Sequence, residues 1–214
     1  MQIRKPDIIV RMAVGGHLPV PWCRWSDDVR VILHPTTAYA ELAREPARGG
    51  LFKRPLAFAL LLGLVIAIST SGRPTLRLVL ASAVAWSFVP ALHMASVALV
   101  MLTLARARLP VGRAVDLYFM ALLPWSAWLL GLAAMASFIQ PEHQRQVWRI
   151  FLFTAPVLFV WGKIVTLAFF RRALGLSGRR CAAAVLLNFA IVWGSILAFF
   201  LLSGQLWPRL VGRV

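Results

Sequence analysis

The sequence predicts an all-α fold, a polytopic integral membrane bundle of about five transmembrane helices with short interfacial helices at its N-terminal end. Of the 214 residues, 60% are hydrophobic and only 14% are charged, and the mean hydropathy is +0.78. Soluble domains are nearer half apolar and a quarter charged. Long apolar runs alternate with short basic tracts, and most of these runs approach or exceed the roughly 20 residues that cross a bilayer.

The charge balance is strongly basic, with 23 Lys and Arg against 7 Asp and Glu and a formal net charge of +16. In a soluble protein this balance would indicate nucleic-acid binding. Here the cations flank apolar runs, where the positive-inside rule and attraction to anionic lipid head groups account for them. We expect membrane lipids, other membrane proteins or a second copy of the chain as partners, and no nucleic acid.

Residues 1–54 form a polar, basic N-terminal arm with two predicted amphipathic helices. Ser26 is a candidate N-cap for the first helix, and Pro35 suits the first position of the second. Their apolar faces are formed by Val29, Ile32 and Leu33 in the first helix and by Tyr39, Leu42 and Ala43 in the second. Such helices either lie in the membrane interface or pack against the ends of the spans.

The transmembrane domain, residues 55–214, contains five predicted spans, at 56–70, 78–105, 117–139, 147–170 and 182–203. The first is short for a bilayer core about 30 Å thick. Pro90, Pro124 and Pro156 lie inside the second, third and fourth spans, and a kink is expected at Pro90. A bundle tolerates such prolines when neighbouring helices satisfy the freed carbonyls.

The distribution of cations predicts the orientation. A cytoplasmic N-terminus places 16 Lys and Arg inside and 6 outside, and residues 1–54 supply nine of the inner ones. The positive-inside rule therefore favours a bacterial inner membrane protein with its N-terminus in the cytoplasm and its C-terminus outside. Cys23 and Cys181 then face the cytoplasm, where thiols stay reduced.

The end of the arm carries four cations beside the first span. Arg44, Arg48, Lys53 and Arg54 are close enough to the membrane to bind anionic lipid head groups or an acidic partner. We predict that these four residues form the contact of the arm with lipid or a partner protein.

Lys163 is the one Lys or Arg clearly inside a predicted span, and intramembrane cations are a functional hypothesis by default. Lys163 and Asn188 each lie eight residues from the basic end of their span, about 12 Å deep, so a contact between them is geometrically natural. Asp116 is a possible counter-ion. The alternative is that Lys163 extends to the cytoplasmic interface.

His93 lies near the middle of the second span, three residues after Pro90. It would serve a proton path or hold a ligand, or it would hydrogen-bond to a neighbouring helix. Six tryptophans lie in or near the spans, and packing, interfacial anchoring and an aromatic-lined site are the alternatives for them. They are Trp125, Trp128, Trp148, Trp161, Trp193 and Trp207.

Sequence motifs for chemistry are missing. The chain has no H-E-x-x-H, no G-x-S-x-G and no P-loop lysine. Five of the seven acidic residues precede the first span, so no carboxylate cluster assembles in the membrane. We predict no enzyme, no catalytic residue, no cofactor and no metal. Small residues at helical spacing indicate close helix approach within the bundle or between copies: Ala81 and Ala85, Ala91 and Ala95, Gly131 and Ala134.

Several segments resemble the Yip domain family, multi-pass membrane proteins first known as partners of Rab-type GTPases. The similar segments are 31–42 around Pro35, 54–63 at the start of the first span, Leu122–Trp125 with Pro124, and 174–183 before the last span. The resemblance implies a five-span scaffold with a cytoplasmic N-terminus and no enzymatic activity, and it transfers no GTPase-binding residue to this chain.

Three functional hypotheses follow. The first is a membrane scaffold or accessory subunit that acts through helix–helix and lipid contacts. The second is a transport component with a polar path through Lys163, Asn188 and His93, which requires that these three residues line one water-accessible cavity. The third is a structural subunit of a larger membrane complex.

Overall fold

The computed structural model describes residues 26–45, 52–105, 109–138 and 144–211, and every regular element in these ranges is a helix. The helices are α1 (Asp27–Leu33), α2 (Pro35–Leu42), α3 (Lys53–Ser71), α4 (Leu76–Ala85), α5 (Phe88–Thr103), α6 (Val111–Met120), α7 (Leu123–Phe138), α8 (Gln144–Ala168) and α9 (Gly178–Val211). A π-helical turn, Phe169–Ala173, extends α8. We call the end of the bundle where α1 and α2 pack and α3, α6 and α9 begin the arm end.

The all-α membrane bundle is confirmed. Within the described residues, four segments are long and apolar enough to cross a membrane, and a fifth is added if α6 and α7, which are bent by 46°, form one broken span. The protein is thus an integral membrane protein with four to five spans.

The first span is longer than predicted. The helix begins at Lys53 and ends at Ser71, so that its 19 residues extend for about 28 Å. The predicted span begins after Lys53, Arg54 and Pro55, but these residues belong to the helix, because proline is well suited to a first helical turn. Gly72 ends α3 with φ +68°, and its N–H donates to the carbonyl of Ile68 at 2.8 Å.

Two of the three internal prolines break their helices one turn upstream. Proline at position i removes the hydrogen bond to the carbonyl of residue i−4 and clashes with that carbonyl. For Pro90 this residue is Trp86, where α4 gives way to α5. For Pro124 it is Met120, the last residue of α6. Pro156 lies inside the continuous helix α8.

The third and fifth spans also differ from their predicted bounds. The helix of the third span starts at Val111, six residues earlier than expected, and is interrupted before Pro124. The fifth helix continues past Gly204 to Val211. Helix α8 starts at Gln144, and its π-helical end is followed by Gly175 with φ +67°.

The two arm helices pack against the ends of the spans. Tyr39 and Leu42 of α2 are buried, as predicted, and the Tyr39 ring meets Phe169 edge-on at 5.6 Å. In α1 the predicted face is wrong, because Val31 is fully buried whereas Leu33 is 52% exposed. Val31 packs inward because α1 lies against α2, where Val31 joins the same core as Tyr39 and Leu42.

The Tyr39 hydroxyl is held in the interior and donates to the backbone carbonyl of Leu117 at 3.2 Å. Burial raises the pKa of Tyr39 well above its ordinary value, because the charged phenolate is disfavoured away from water. The side chain therefore remains a neutral donor that fixes α2 on α6.

The buried core lies mainly at the arm end. It joins Val31, Tyr39 and Leu42 of the arm to α6, to the π-helical turn and to the adjacent parts of α5 and α9. In α9, the most apolar 18-residue stretch is only 11% buried. Most of this apolar stretch of α9 is therefore exposed, as expected for a helix surface that faces lipid.

Close helix contact is made by a different set of small residues from those predicted. Ala59, Gly63 and Ala67 form a buried stripe on α3 that packs against α4. The predicted small residues Ala81, Ala85, Ala91, Ala95, Gly131 and Ala134 are exposed. Those faces are not used for packing within the described part of the chain.

Candidate functional site

A chain of hydrogen bonds crosses the bundle and links three helices. Asn188 of α9 donates from its amide to Ser96 Oγ of α5 at 2.6 Å and to the Tyr118 hydroxyl of α6 at 2.9 Å. Tyr118 donates to Asn188 Oδ1 at 3.1 Å and lies 2.9 Å from His93 Nδ1. The Ser96 hydroxyl donates to the backbone carbonyl of His93 at 2.9 Å. These bonds hold α5, α6 and α9 in a fixed arrangement.

The network of hydrogen bonds gives His93 a partner on another helix. Its Nδ1 pairs with a hydroxyl on a neighbouring helix, which was the structural alternative for this residue. Asparagine does not relay protons as a titrating group would. The four side chains therefore act as a polar clamp, in which each buried polar group satisfies another.

A cavity of about 270 Å³ lies beside this clamp. Lys163, Asn188 and His93, the three predicted intramembrane candidates, all line it, together with Tyr118 and Thr166. The transport hypothesis requires these three residues to line one water-accessible cavity, and the structure shows that they line the same cavity. The remaining wall is apolar and includes four aromatic side chains, those of Phe58, Trp125, Trp128 and Trp193.

Lys163 occupies an unusual position in this wall. Its Nζ lies 5.2 Å from the ring centroid of Phe159 and 5.0 Å from that of Phe189. Phe159 is one turn before Lys163, so the side chain points away from Arg171 and the arm end, as helical side chains usually do. The Lys163 side chain is therefore not directed toward the arm end, which is the end that the sequence predicts to be cytoplasmic.

Neither predicted partner holds the Lys163 ammonium. Asn188 bonds Ser96 and Tyr118, and Asp116 bonds two arginines. Among the described residues, no carboxylate forms a salt bridge with Lys163. A desolvated cation–π contact contributes about 2 kcal/mol, whereas removing an ammonium from water costs several kcal/mol. The rings offset only part of this cost.

Asp116 instead organises an ionic cluster at the arm end. It accepts from Arg113 at 3.1 Å and from Arg54, which also donates to Asp28 at 3.1 Å. Arg113 donates further to the backbone carbonyl of Leu42 at 3.1 Å. Asp116 and Arg113 are 8% and 7% exposed. The cluster thus joins α1, α2, α3 and α6.

The predicted lipid contacts divide into separate groups. Arg44 and Lys53 are exposed, as a surface contact requires. Arg54 is half-buried and committed to Asp28 and Asp116, so its main interactions lie within the fold. Arg48 lies outside the described residues. The other exposed cations at this end are Arg171, Arg172, Arg179 and Arg180.

Sequence reasoning missed Tyr118 and Ser96, although both are central to the clamp. Tyr118 is one of only two tyrosines in the chain, and both tyrosines are buried and hydrogen-bonded. A rare polar aromatic residue within an apolar run was the signal available. The Arg113–Asp116 pair was also readable, because residues three apart share a helix face.

The described residues contain no group of three or more His, Cys, Asp or Glu side chains arranged to hold a metal ion. Cys181 is buried as a free thiol, and Cys23 lies outside the described residues. Of the six tryptophans, Trp125, Trp128 and Trp193 line the cavity, Trp161 packs against the core, and the side chains of Trp148 and Trp207 lie outside the described part.

Comparison of the chain with protein-family models, with curated proteins and with solved structures gave no match. The resemblance to the Yip domain family accordingly stays a prediction from the sequence.

Proposed function

We propose that this protein is a non-enzymatic component of a transport process, one that binds a small molecule inside its helix bundle. The observation that supports the proposal is the shared cavity of Lys163, Asn188 and His93. Ligand sites in helical membrane proteins lie between helices and combine apolar walls with a few polar groups. A cation that lacks a carboxylate partner in the described part of the chain is expected at such a site.

The proposal places the protein in a bacterial inner membrane with the arm end in the cytoplasm. The excess of Lys and Arg on that side supports this orientation. In that orientation the clamp and the cavity lie within the membrane, beyond the packed core of the arm end.

Accessibility of the cavity tests the proposal. Thr166→Cys, in a background with Cys23 and Cys181 replaced by Ser, places a thiol in the cavity wall three residues after Lys163. The nearby ammonium favours the reactive thiolate. We expect N-ethylmaleimide to label this cysteine at least tenfold faster than Ala184→Cys, which lies fully buried outside the cavity.

Arg179→Cys, exposed at the start of α9, serves as the reference for the arm end, and an impermeant thiol reagent should reach it only from the cytoplasmic side. Equal, slow labelling of Thr166→Cys and Ala184→Cys would mean that the cavity is closed, and the transport proposal would then be abandoned.

A second candidate function is the membrane scaffold or accessory subunit, in which the protein packs against helices of another membrane protein or of a second copy. It is supported by an open apolar groove between α5 and α9, which contains Ala91, Ala95 and Ser195. Small residues on an exposed face permit close approach of another helix. A structural subunit of a larger complex would use the same groove.

The native mass of the detergent-extracted particle tests this second candidate. We expect Ala95→Leu, which fills the groove, to reduce the particle to a single chain. Ala183→Leu, at another exposed alanine, on α9, should leave its mass unchanged. A wild-type particle with the mass of one chain would contradict the scaffold function.

A further inference from the structure

We propose that the cavity binds a monoanionic amphipath, a carboxylic acid with an apolar body, whose carboxylate pairs with the Lys163 ammonium. This inference rests on the proposed function and names the chemical class of its ligand. Its basis, among the described residues, is the combination of one cation without a carboxylate partner, neighbouring amide and hydroxyl groups that are already hydrogen-bonded, and an apolar wall.

Lys163 is the one charged donor among the described residues that line the cavity, beside the uncharged indole N–H groups of Trp125 and Trp193. The amide of Asn188 and the hydroxyls of Tyr118 and Ser96 are engaged with one another, and the Thr166 hydroxyl donates to the backbone carbonyl of Gly162 at 2.8 Å. The Lys163 ammonium lies over the rings of Phe159 and Phe189, and no carboxylate of the described residues forms a salt bridge with it. A ligand that brings an acceptor for this ammonium would complete the site, because charge-assisted hydrogen bonds are the strong ones.

The charge of the ligand follows from the lining. Lys163 is the only Lys or Arg among the described residues that line the cavity. A phosphate monoester carries nearly two charges at neutral pH, which one ammonium would leave partly unpaired away from water. A carboxylate carries one charge and matches the single cation.

The apolar character of the ligand body is inferred from the cavity walls and from the side on which the cavity opens. Phe58, Trp125 and Trp128 offer apolar surface inside the cavity. On the outer side, Phe189 lies beside Lys163 and Trp193 lines the cavity. Both side chains are 41% exposed and face the region that the membrane would fill. At the arm end, the fully buried Phe169 and Phe170 close the bundle. The ligand therefore reaches the cavity from the apolar phase of the membrane, as a fatty or aromatic acid would.

The volume limits the size of the ligand. At about 270 Å³, the cavity is slightly below the usual range for sites of drug-sized molecules. It holds a single short chain or one to two rings and is too small for a two-chain phospholipid. The site therefore favours a free acid over a membrane phospholipid.

The test uses the full-length protein in zwitterionic vesicles and a medium-chain fatty acid with bromine at its tail, which quenches tryptophan fluorescence on contact. Trp125, Trp128 and Trp193 report from the cavity wall. We expect a saturable phase of quenching at low mole fraction of acid. Lys163→Met should move its midpoint at least tenfold higher, Lys163→Arg should restore it to within a few-fold, and Arg73→Met, an exposed cation on a loop, should leave it unchanged.

The methyl ester and the primary amine with the same brominated tail separate the possible failures. If either analogue saturates at the same mole fraction as the acid, the cavity binds ligands but the anion class is wrong. If the acid saturates equally in Lys163→Met, the role of the lysine is wrong. If no probe gives a saturable phase, the inference falls, and the thiol labelling at position 166 then decides separately whether the cavity is open.

Discussion

Replacing Asp116 with Asn is expected to destabilise the protein by about 3–5 kcal/mol, the usual cost of breaking a buried ion pair by removing one partner. Asp116 is the carboxylate shared by Arg54 and Arg113. Arg113 is 7% exposed and would keep its charge beside a neutral amide. The loss should loosen the arm from α3 and α6, because Arg113 also holds the carbonyl of Leu42.

Thermal unfolding of the detergent-solubilised protein, followed by circular dichroism, measures this effect. The matched control is Glu41→Gln, which also converts a carboxylate to an amide in an arginine pair, here with Arg30. That pair is largely exposed, and exposed pairs contribute about 0–1 kcal/mol. Equal shifts in Tm for the two variants would show that the cluster around Asp116 is no more important than a surface pair.

Replacing Gly63 with Leu is expected to separate α3 from α4 and to destabilise the protein by about 3 kcal/mol or more, at the upper end of overpacking costs. A Cβ at this position would lie 2.4 Å from the carbonyl oxygen of Val79 and 2.7 Å from the backbone nitrogen of Ala83. Both are backbone atoms of a packed helix, so neither moves without displacing α4. Even Gly63→Ala should be destabilising.

Gly194→Leu provides the control for the same substitution in a spanning helix. No atom lies within 4 Å of a Cβ built at Gly194, and leucine has the higher helix propensity, by up to about 1 kcal/mol. Its Tm should stay the same or rise. A Gly63→Leu protein that unfolds at the wild-type temperature would mean that α3 and α4 are not in direct backbone contact.

The depth of the polar residues in the membrane was readable from the sequence. Lys163 and Asn188 lie at equal distances from the basic ends of their spans, and the structure places both on one cavity with His93. Depth follows from counting, because a helix rises by a constant 1.5 Å per residue. The predicted partners of Lys163, namely Asn188 and Asp116, do not hydrogen-bond to its ammonium. Asn188 instead bonds Tyr118 and Ser96, and Asp116 bonds Arg54 and Arg113.

Helix interruptions were also partly predictable, because a proline acts on a residue at a fixed distance along the sequence. Pro90 and Pro124 each remove a hydrogen bond to a known residue one turn before them, and α4 and α6 end at those points. Pro156 has the same chemistry inside an unbroken α8. Whether a proline breaks a helix depends on the neighbours that support the freed carbonyl, which the local sequence does not contain.

The amino-acid sequence by itself determined that the chain is an all-α membrane protein, because span length and hydropathy are properties of each segment alone. The rotation of each helix about its axis was decided only by the tertiary structure. A helix that is apolar on all sides has no preferred face, so the sequence did not indicate that Gly63 meets α4 or that Tyr118 joins His93 to Asn188. Those contacts form only when several helices with faces of similar polarity pack together. Packing then selects the contacting faces by their shape and by the few buried hydrogen bonds.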